Sequence, residues 1–228
     1  AQIKKFEENY NVELLQMYGM TETIGTPLMN PLDSVKKNMG IGRPVIGYEV
    51  KVIDEAGNEV PRGEVGQLIV KGEPGRTLMK GYFKNEQATK ETLQNGWLHT
   101  GDNARVDKDG YFFFVDRKKD MIKRAGENIA ATEIETVLSR HPSVFEVAVI
   151  GVPDEVRDEA IKAYVILKED YDVSENELID FCKQRLAMFK VPEYIEFVSE
   201  LPRTSVGKIQ KHLLRKKHDK MNRTRDIR

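Results

Sequence analysis

Hydrophobic and polar positions alternate over short intervals in the first half of the chain, and this pattern predicts closely spaced strands. The strands are predicted at residues 11–17, 48–53, 64–70, 103–106 and 111–115. A helical pattern opens the chain, and one further short helix is predicted at 85–93. Short strands joined by turns that contain glycine and proline indicate a small β-barrel-like or bent sheet.

The pattern changes after Asp116, where segments of strand period alternate with segments of helix period. Strands are predicted at residues 118–123, 144–149, 161–167 and 194–198. Helices are predicted at 131–140 and 175–186, each with its apolar residues on one face. The predicted fold class is therefore α+β, with a small β-barrel-like subdomain followed by a compact α+β C-terminal domain.

The charged run at residues 116–120 marks the predicted domain boundary. It separates residues 1–116 from a C-terminal domain of residues 117–217, which a basic tail at 218–228 follows. From Lys211 to the end, the chain holds eight Lys or Arg and two Asp. Such a segment could bind an acidic partner or a membrane surface, but a solvated, frayed C-terminus explains it more simply.

Composition narrows the possible partners. The chain holds 36 Lys and Arg against 37 Asp and Glu, and its net charge of −1 gives no reason to expect nucleic acid. No apolar run approaches the roughly 20 residues of a membrane-spanning helix. The single cysteine, Cys182, excludes an internal disulfide and fits a reducing compartment. We therefore predict a cytoplasmic protein in which Cys182, on the apolar face of a predicted helix, lies in the core.

Four segments combine glycine with hydroxyl, carboxylate or cationic side chains, and two of them precede Asp116. Residues 18–23 (YGMTET) could stack a base on Tyr18, bond a phosphate and hold a divalent cation. Residues 97–102 place Asp102 after a glycine turn, where a carboxylate is suited to both hydroxyls of a ribose. Taken singly, each segment is also consistent with an ordinary capped turn.

The other two segments follow the predicted boundary. Residues 116–129 carry cations that could neutralise phosphates, and Gly126 would allow a ligand to approach the backbone closely. Residues 201–209 place Lys208 on a flexible, glycine-containing loop, from which a lysine can be carried into a phosphate site. A solvated linker and a surface loop are the alternative interpretations of these two segments.

The order and contents of the four segments together resemble the adenylate-forming family, which includes acyl-CoA synthetases, firefly-type luciferases and the adenylation domains of peptide synthetases. The resemblance covers residues 10–217, and the run 122–129 (IKRAGENI) is similar to that of the acyl-CoA ligases. Two further runs, 157–163 and 181–192, are similar to those of ligases for carnitine and crotonobetaine. The resemblance implies the use of ATP, Mg²⁺ and coenzyme A, with a small carboxylic acid as substrate.

The resemblance also implies roles for individual residues. The residues that would bind ATP or AMP are Tyr18, Gly19, Thr21, Asp102 and Arg117. Tyr18 would stack on adenine, Thr21 would contact the α-phosphate, and Asp102 would take the ribose hydroxyls. Glu22 would hold Mg²⁺, and Lys208 would be the catalytic lysine that binds carboxylate and phosphate oxygens during adenylation.

A second group of residues would serve the transfer to coenzyme A. Lys119 matches the family's hinge, about which the small C-terminal domain reorients between the two half-reactions. Reorientation would withdraw the Lys208 loop and bring in the segment that contains Lys123, the catalytic lysine of thioester formation. The residues on the CoA side of this segment would be Gly126, Glu127 and Asn128.

The predicted function is an ATP-dependent acid–CoA ligase that acts on carnitine, crotonobetaine or another short-to-medium carboxylic acid and releases AMP and pyrophosphate. The family's phosphate loop has no counterpart before Tyr18, so we expect an inactive C-terminal fragment whose partner is the preceding portion of the same polypeptide. Two alternatives stay open. One is an adenylation domain that loads an amino or aryl acid on a carrier protein, and the other is a non-catalytic nucleotide-binding module.

Overall fold

The computed structural model describes residues 2–32, 37 and 39–225. The chain divides into two compact units between Lys118 and Lys119, two residues after the predicted boundary at Asp116. The two units have separate sheets and separate buried apolar clusters. Within the described residues, no helix is both long enough and apolar enough to cross a membrane. The α+β class predicted from the sequence is confirmed.

The first unit, which ends at Lys118, consists mainly of short antiparallel strands. In chain order its elements are α1 (Gln2–Tyr10), β1 (Met17–Tyr18), β2 (Leu28–Met29), β3 (Arg43–Pro44), β4 (Glu49–Ile53), β5 (Val65–Lys71), α2 (Glu86–Thr92), β6 (Leu93–Gln94), β7 (Trp97–Val106) and β8 (Phe112–Arg117). Strands β1, β2 and β3 form a small sheet. A second sheet has the order β4-β5-β7, and both β6 and β8 pair with β7.

The second sheet has one continuous apolar face because alternate residues of its strands are hydrophobic. Val50 pairs with Val70 and Val52 with Leu68, and all four side chains are buried together with Leu98 of β7. The strands predicted at 48–53 and 64–70 are confirmed to within one residue at each end. The helix predicted at 85–93 is confirmed as α2.

Two expectations for this unit are wrong. The strand predicted at 11–17 is reduced to Met17–Tyr18, because the chain pairs with β2 only there and the apolar Val12 and Leu14 are exposed. Strand β7 begins at Trp97 instead of residue 103, so Gly101 lies inside a strand and not in a turn.

Gly101 lies in a β-bulge of β7. His99 pairs with Ile69 and Asn103 with Gln67, so Leu68 alone lies opposite the three residues between His99 and Asn103. Gly101 has a φ of +73°, a backbone conformation that glycine adopts far more readily than other residues. Because Asp102 belongs to the same bulge, the bulge determines where its carboxylate lies.

The second unit begins at Lys119 and has a mixed sheet with helices on it. In chain order its elements are β9 (Ile122–Arg124), β10 (Glu127–Ile129), α3 (Ala131–Leu138), β11 (Val144–Asp154), β12 (Asp158–Leu167), α4 (Glu175–Lys183), β13 (Tyr194–Phe197) and α5 (Lys211–Arg225). The sheet has the order β10-β9-β12-β11, and β13 pairs with β12 in the parallel sense. The remaining pairs are antiparallel.

The long hairpin of β11 and β12 is buried on both faces. Val147 and Val149 of β11 belong to one apolar cluster, which includes residues of α3 and α4. The alternate residues Ala148 and Ile150 belong to a second cluster, which includes Leu214 of α5. Burial on both faces explains why these strands are nearly continuous runs of apolar residues. Cys182 is buried in the first cluster, as predicted.

The C-terminal segment is helical, which contradicts the frayed tail expected from the sequence. Helix α5 is anchored because Leu214 is only 3% exposed and Lys211 Nζ lies 2.7 Å from Glu135 Oε1. Residues 226–228 of the predicted tail lie outside the described residues. The strand predicted at 118–123 is also wrong, because a 3₁₀ turn at Lys118–Asp120 occupies its first half and only β9 is extended.

Candidate functional site

Three of the predicted nucleotide-binding residues meet in the first unit, although they are far apart in the sequence. The Tyr18 hydroxyl, at the end of β1, donates to Asp102 Oδ2 at 2.6 Å. Arg117 lies directly opposite Asp102 in the pairing of β7 with β8, and its Nε is 3.6 Å from Asp102 Oδ1. The structure therefore brings an aromatic ring, a carboxylate and a guanidinium together at the bulge of β7.

Burial keeps the Tyr18 hydroxyl of this cluster protonated. Burial raises the pKa of the Tyr18 hydroxyl and the adjacent Asp102 carboxylate raises it further, so Tyr18 stays protonated and remains the donor. Asp102 is 9% exposed, and its backbone N donates to Thr100 Oγ1 at 3.1 Å. A carboxylate can accept about four hydrogen bonds, so Asp102 retains capacity for the hydroxyl groups of a ligand.

The backbone around Thr21 and Glu22 is held by a short 3₁₀ turn at Thr21–Thr23. Thr23 is fully buried, and its Oγ1 accepts a hydrogen bond from Met20 N at 3.0 Å. This anchor leaves Thr21 exposed and Glu22 half-buried. Gly19 precedes the turn, and a Cβ there would lie 2.8 Å from the carbonyl oxygen of Gly25, so close approach of the backbone requires glycine.

Tyr82 contacts the predicted metal ligand and was not predicted from the sequence. Its hydroxyl donates to Glu22 Oε1 at 2.7 Å, and the backbone N of Met79 donates to the Glu22 carbonyl at 2.8 Å. Burial raises the pKa of Tyr82, and Glu22 raises it further. The available signal was a tyrosine after Gly81 at the start of a segment that leads into a helix.

Glu22 is the carboxylate predicted to hold Mg²⁺. Over the part of the chain that the structure describes, no three His, Cys, Asp or Glu side chains are close enough to form a metal site. Mg²⁺ is commonly held by one or two carboxylates together with substrate phosphates and water. A single Glu22 carboxylate, positioned by Tyr82, fits that kind of site better than a site made entirely of protein ligands.

Lys208 lies in the second unit, in the glycine-containing loop predicted from the sequence, and hydrogen bonds close this loop into a turn. Thr204 N donates to Lys208 O at 2.8 Å, and Lys208 N donates to Thr204 Oγ1 at 3.1 Å. Arg203 spans the turn by donating to the Gly207 carbonyl at 2.8 Å. The Lys208 side chain is exposed to solvent.

The other predicted catalytic lysine is also in the second unit, on the hairpin of β9 and β10. Lys123 lies opposite Asn128 in this hairpin, and both residues are exposed, as is Glu127. Gly126 forms the turn with a φ of +84°, and a Cβ there would meet nothing within 4 Å. The left-handed conformation of this turn favours glycine at position 126.

Lys119, the predicted hinge residue, directly follows the division between the two units. It is exposed within the 3₁₀ turn at Lys118–Asp120. The next residue, Asp120, is buried, and its Oδ1 lies 3.0 Å from Arg215 Nη2 on α5. This ion pair holds the chain to the second unit from the residue that follows Lys119.

Comparison with known proteins gives the family. A model of AMP-binding enzymes matches residues 1–83, and a model of the C-terminal domain of AMP-binding enzymes matches residues 133–208. The chain belongs to the adenylate-forming, AMP-binding enzyme family. The first match includes Tyr18, Glu22 and Tyr82, and the second ends at Lys208.

Curated members of the AMP-binding family are similar over most of this chain. Crotonobetaine/carnitine–CoA ligase of Proteus mirabilis is 48% identical over 210 residues, which are 91% of this chain and 40% of that ligase. The ligase of the same name from Salmonella arizonae is 44% identical over 92% of this chain and 41% of its own length. The chain therefore spans about two fifths of the length of these relatives.

Solved structures of the family share the fold. ATP-bound MatB from Rhodopseudomonas palustris is 33% identical and superposes with a TM-score of 0.86 over 95% of this chain and 42% of its own. Bacillus subtilis o-succinylbenzoate CoA synthetase with its acyl-adenylate is 36% identical, with a TM-score of 0.83 over 92% and 42%. The amide bond synthetase McbA of Marinactinospora thermotolerans is 32% identical, with a TM-score of 0.81 over 94% and 44%.

Proposed function

We propose that these 228 residues form the C-terminal part of an acid–CoA ligase that works through an acyl-adenylate. In the first half-reaction a carboxylate attacks the α-phosphate of ATP and releases pyrophosphate, and in the second the thiol of coenzyme A displaces AMP. The observation that carries the proposal is the convergence of Tyr18, Asp102 and Arg117 at one bulge, because together they offer a ring for a base and a carboxylate for ribose hydroxyls.

The residues of the first unit would bind the nucleotide. The hydrogen bond to Asp102 fixes the Tyr18 ring, which then presents its face to adenine, while Asp102 accepts from the ribose hydroxyls. The exposed Thr21 would donate to a phosphate oxygen. Glu22 would hold Mg²⁺, which when bound neutralises phosphate charge. Adenylation depends mainly on position and charge, so these groups need only orient the reactants.

Different residues of the second unit would act in the two half-reactions. Lys208 would neutralise the carboxylate and phosphate oxygens during adenylation, since its ammonium is exposed on an ordered turn. A rotation of the second unit about Lys119 would then exchange Lys208 for the Lys123–Gly126 hairpin, with Glu127 and Asn128 on the CoA side. A hinge of this kind needs only a few residues at the boundary between units.

We infer that the acid is carnitine, crotonobetaine or another short-to-medium carboxylic acid, because the ligases named for the first two are 44 to 48% identical to this chain. The remainder of the ligase, which would supply the phosphate loop and most of the acid pocket, is the partner. The 228-residue chain alone should therefore show no acid-dependent exchange of pyrophosphate into ATP. Exchange above the rate of an ATP-only blank would contradict this assignment.

The substrate is tested by an AMP-release assay on the complete ligase, with carnitine, crotonobetaine and short fatty acids offered separately. We expect release that requires both an acid and coenzyme A and is fastest with a betaine. Equal rates with fatty acids would reject a betaine as the preferred substrate but would still support an acid–CoA ligase. No acid-dependent release would reject the ligase itself.

An amine is the second candidate acceptor, because one structural relative is an amide bond synthetase at 32% identity. The same assay separates the two acceptors when coenzyme A is replaced by a simple primary amine. Release that depends on the amine and not on coenzyme A would favour amide formation.

A further inference from the structure

The hairpin that carries Lys123 and Gly126 has little backbone attachment to the sheet beside it. In the described chain, β9 pairs with β12 at one position, where Arg124 lies opposite Asp158. The backbone N of Ala125 adds a hydrogen bond to the Arg157 carbonyl at 2.9 Å. A hairpin of two three-residue strands is marginally stable by itself, so side chains must hold it in place.

Beyond the single backbone pair, the Glu159 carboxylate attaches the hairpin to β12. The backbone N of Lys123 donates to Glu159 Oε2 at 2.7 Å, although the residues are 36 positions apart. In a longer ladder this amide would donate to a main-chain carbonyl, but here the side chain of a β12 residue accepts instead. Hydrogen bonds to a charged acceptor are stronger than those between neutral groups. Glu159 therefore holds the backbone of Lys123 directly.

Gly151 leaves the space that this carboxylate occupies. Gly151 lies on β11, which pairs with the β12 strand that carries Glu159. A Cβ at Gly151 would lie 2.6 Å from both Glu159 Cδ and Glu159 Oε2, closer than such atoms can approach. The backbone of Gly151 is not in the left-handed region, so a Cβ at this position would act through space, by displacing the Glu159 carboxylate.

We propose that Glu159 is a positioning residue for thioester formation, and that it acts by fixing the backbone of Lys123, with Gly151 keeping room for its carboxylate. The inference rests on the proposed function, in which the Lys123–Gly126 hairpin serves the transfer to coenzyme A. In this role Glu159 acts through the backbone of Lys123.

Hydrogen exchange at the Lys123 amide of the 228-residue chain tests the contact itself. Glu159→Ala removes the acceptor, so exchange should accelerate about tenfold, the order expected for a hydrogen bond to a charged group. Glu159→Gln keeps an oxygen acceptor and should restore most of the protection. Glu169→Ala, at an exposed glutamate in the turn after β12, is the matched control and should change nothing. Unchanged exchange in Glu159→Ala would overturn the proposal.

Half-reaction kinetics of the complete ligase test the consequence. Glu159→Ala should lower kcat for thioester formation from supplied acyl-adenylate by about tenfold and leave adenylation within about twofold. Gly151→Ala should act in the same direction, and adding it to Glu159→Ala should cost nothing more, because the clash partner is gone. Equal losses in both half-reactions, or additive losses in the double variant, would overturn the positioning role. A complete ligase that forms no thioester even without substitutions would instead reject the proposed function, and the exchange experiment would still decide the contact.

Discussion

The two oxygens of the Asp102 carboxylate have different neighbours at the residue scale. Oδ2 accepts from Tyr18 at 2.6 Å, and Oδ1 faces Arg117 at 3.6 Å. Because burial raises the pKa of Tyr18, the phenol keeps its proton at neutral pH and remains the donor to Asp102. A hydroxyl group that approaches Asp102 therefore meets a carboxylate that is already oriented, and orientation before binding lowers the entropic cost of recognition.

Tyr18→Phe removes the donor and keeps the ring. We expect the free energy of unfolding of the first unit to fall by about 1 kcal/mol, the usual net contribution of one hydrogen bond. Urea denaturation followed by the fluorescence of Trp97, the single tryptophan of the chain, measures this unit. Tyr10→Phe, at a tyrosine that is 65% exposed, is the control and should leave the midpoint unchanged. A midpoint that also stays constant in Tyr18→Phe would contradict the bond to Asp102.

Cys182 provides a second test at the residue scale. It is fully buried, and burial raises the pKa of its thiol to about 11, whereas the thiolate is the form that reacts. At pH 8 the native chain should react with iodoacetamide at least about 100-fold more slowly than the chain in urea. Mass spectrometry of the alkylated protein gives both rates. Equal rates would contradict the placement of Cys182 in the core.

At the scale of elements, local periodicity predicted the strands and helices that have an apolar face of their own, but it missed features that depend on long-range contacts. Strands β4 and β5 and helices α3 and α4 were predicted because each carries its own apolar face. Helix α5 was missed because it is mostly polar and docks through Leu214 and the Lys211 ion pair with Glu135, which are long-range contacts. The bulge at Gly101 was missed for the same reason, since it exists only relative to β5.

Leu214→Ala tests whether α5 is an integral part of the second unit. Leu214 is 3% exposed, so the substitution should destabilise this unit by about 2 to 4 kcal/mol through lost burial and a residual cavity. Leu213→Ala is the matched control, because the adjacent Leu213 is 38% exposed and its loss should cost less than about 1 kcal/mol. Urea denaturation followed by far-ultraviolet circular dichroism measures both. Similar small effects would mean that α5 does not contribute to the fold.

At the scale of the whole molecule, the hydrophobic period changes after Asp116, and the chain divides into two compact units after Lys118. Periodicity could not predict that Tyr18 and Asp102 meet, since 84 residues separate them. The resemblance to the adenylate-forming family predicts that Tyr18 and Asp102 bind the same nucleotide, and it therefore predicts that they lie close together. It did not indicate Tyr82 or Glu159, because each acts on a neighbouring residue through a tertiary contact.

We propose that Lys208 and Lys123 of the second unit serve different half-reactions of one ligase. Measuring both half-reactions of the complete ligase in Lys208→Ala and Lys123→Ala tests this division of roles. Adenylation is followed by acid-dependent pyrophosphate exchange, and thioester formation by AMP release from supplied acyl-adenylate and coenzyme A. Lys208→Ala should lose adenylation by at least about 100-fold and keep thioester formation, because a cation at the reacting phosphate is removed. Lys123→Ala should lose thioester formation and keep adenylation. Equal losses of both half-reactions in both variants would contradict the claim.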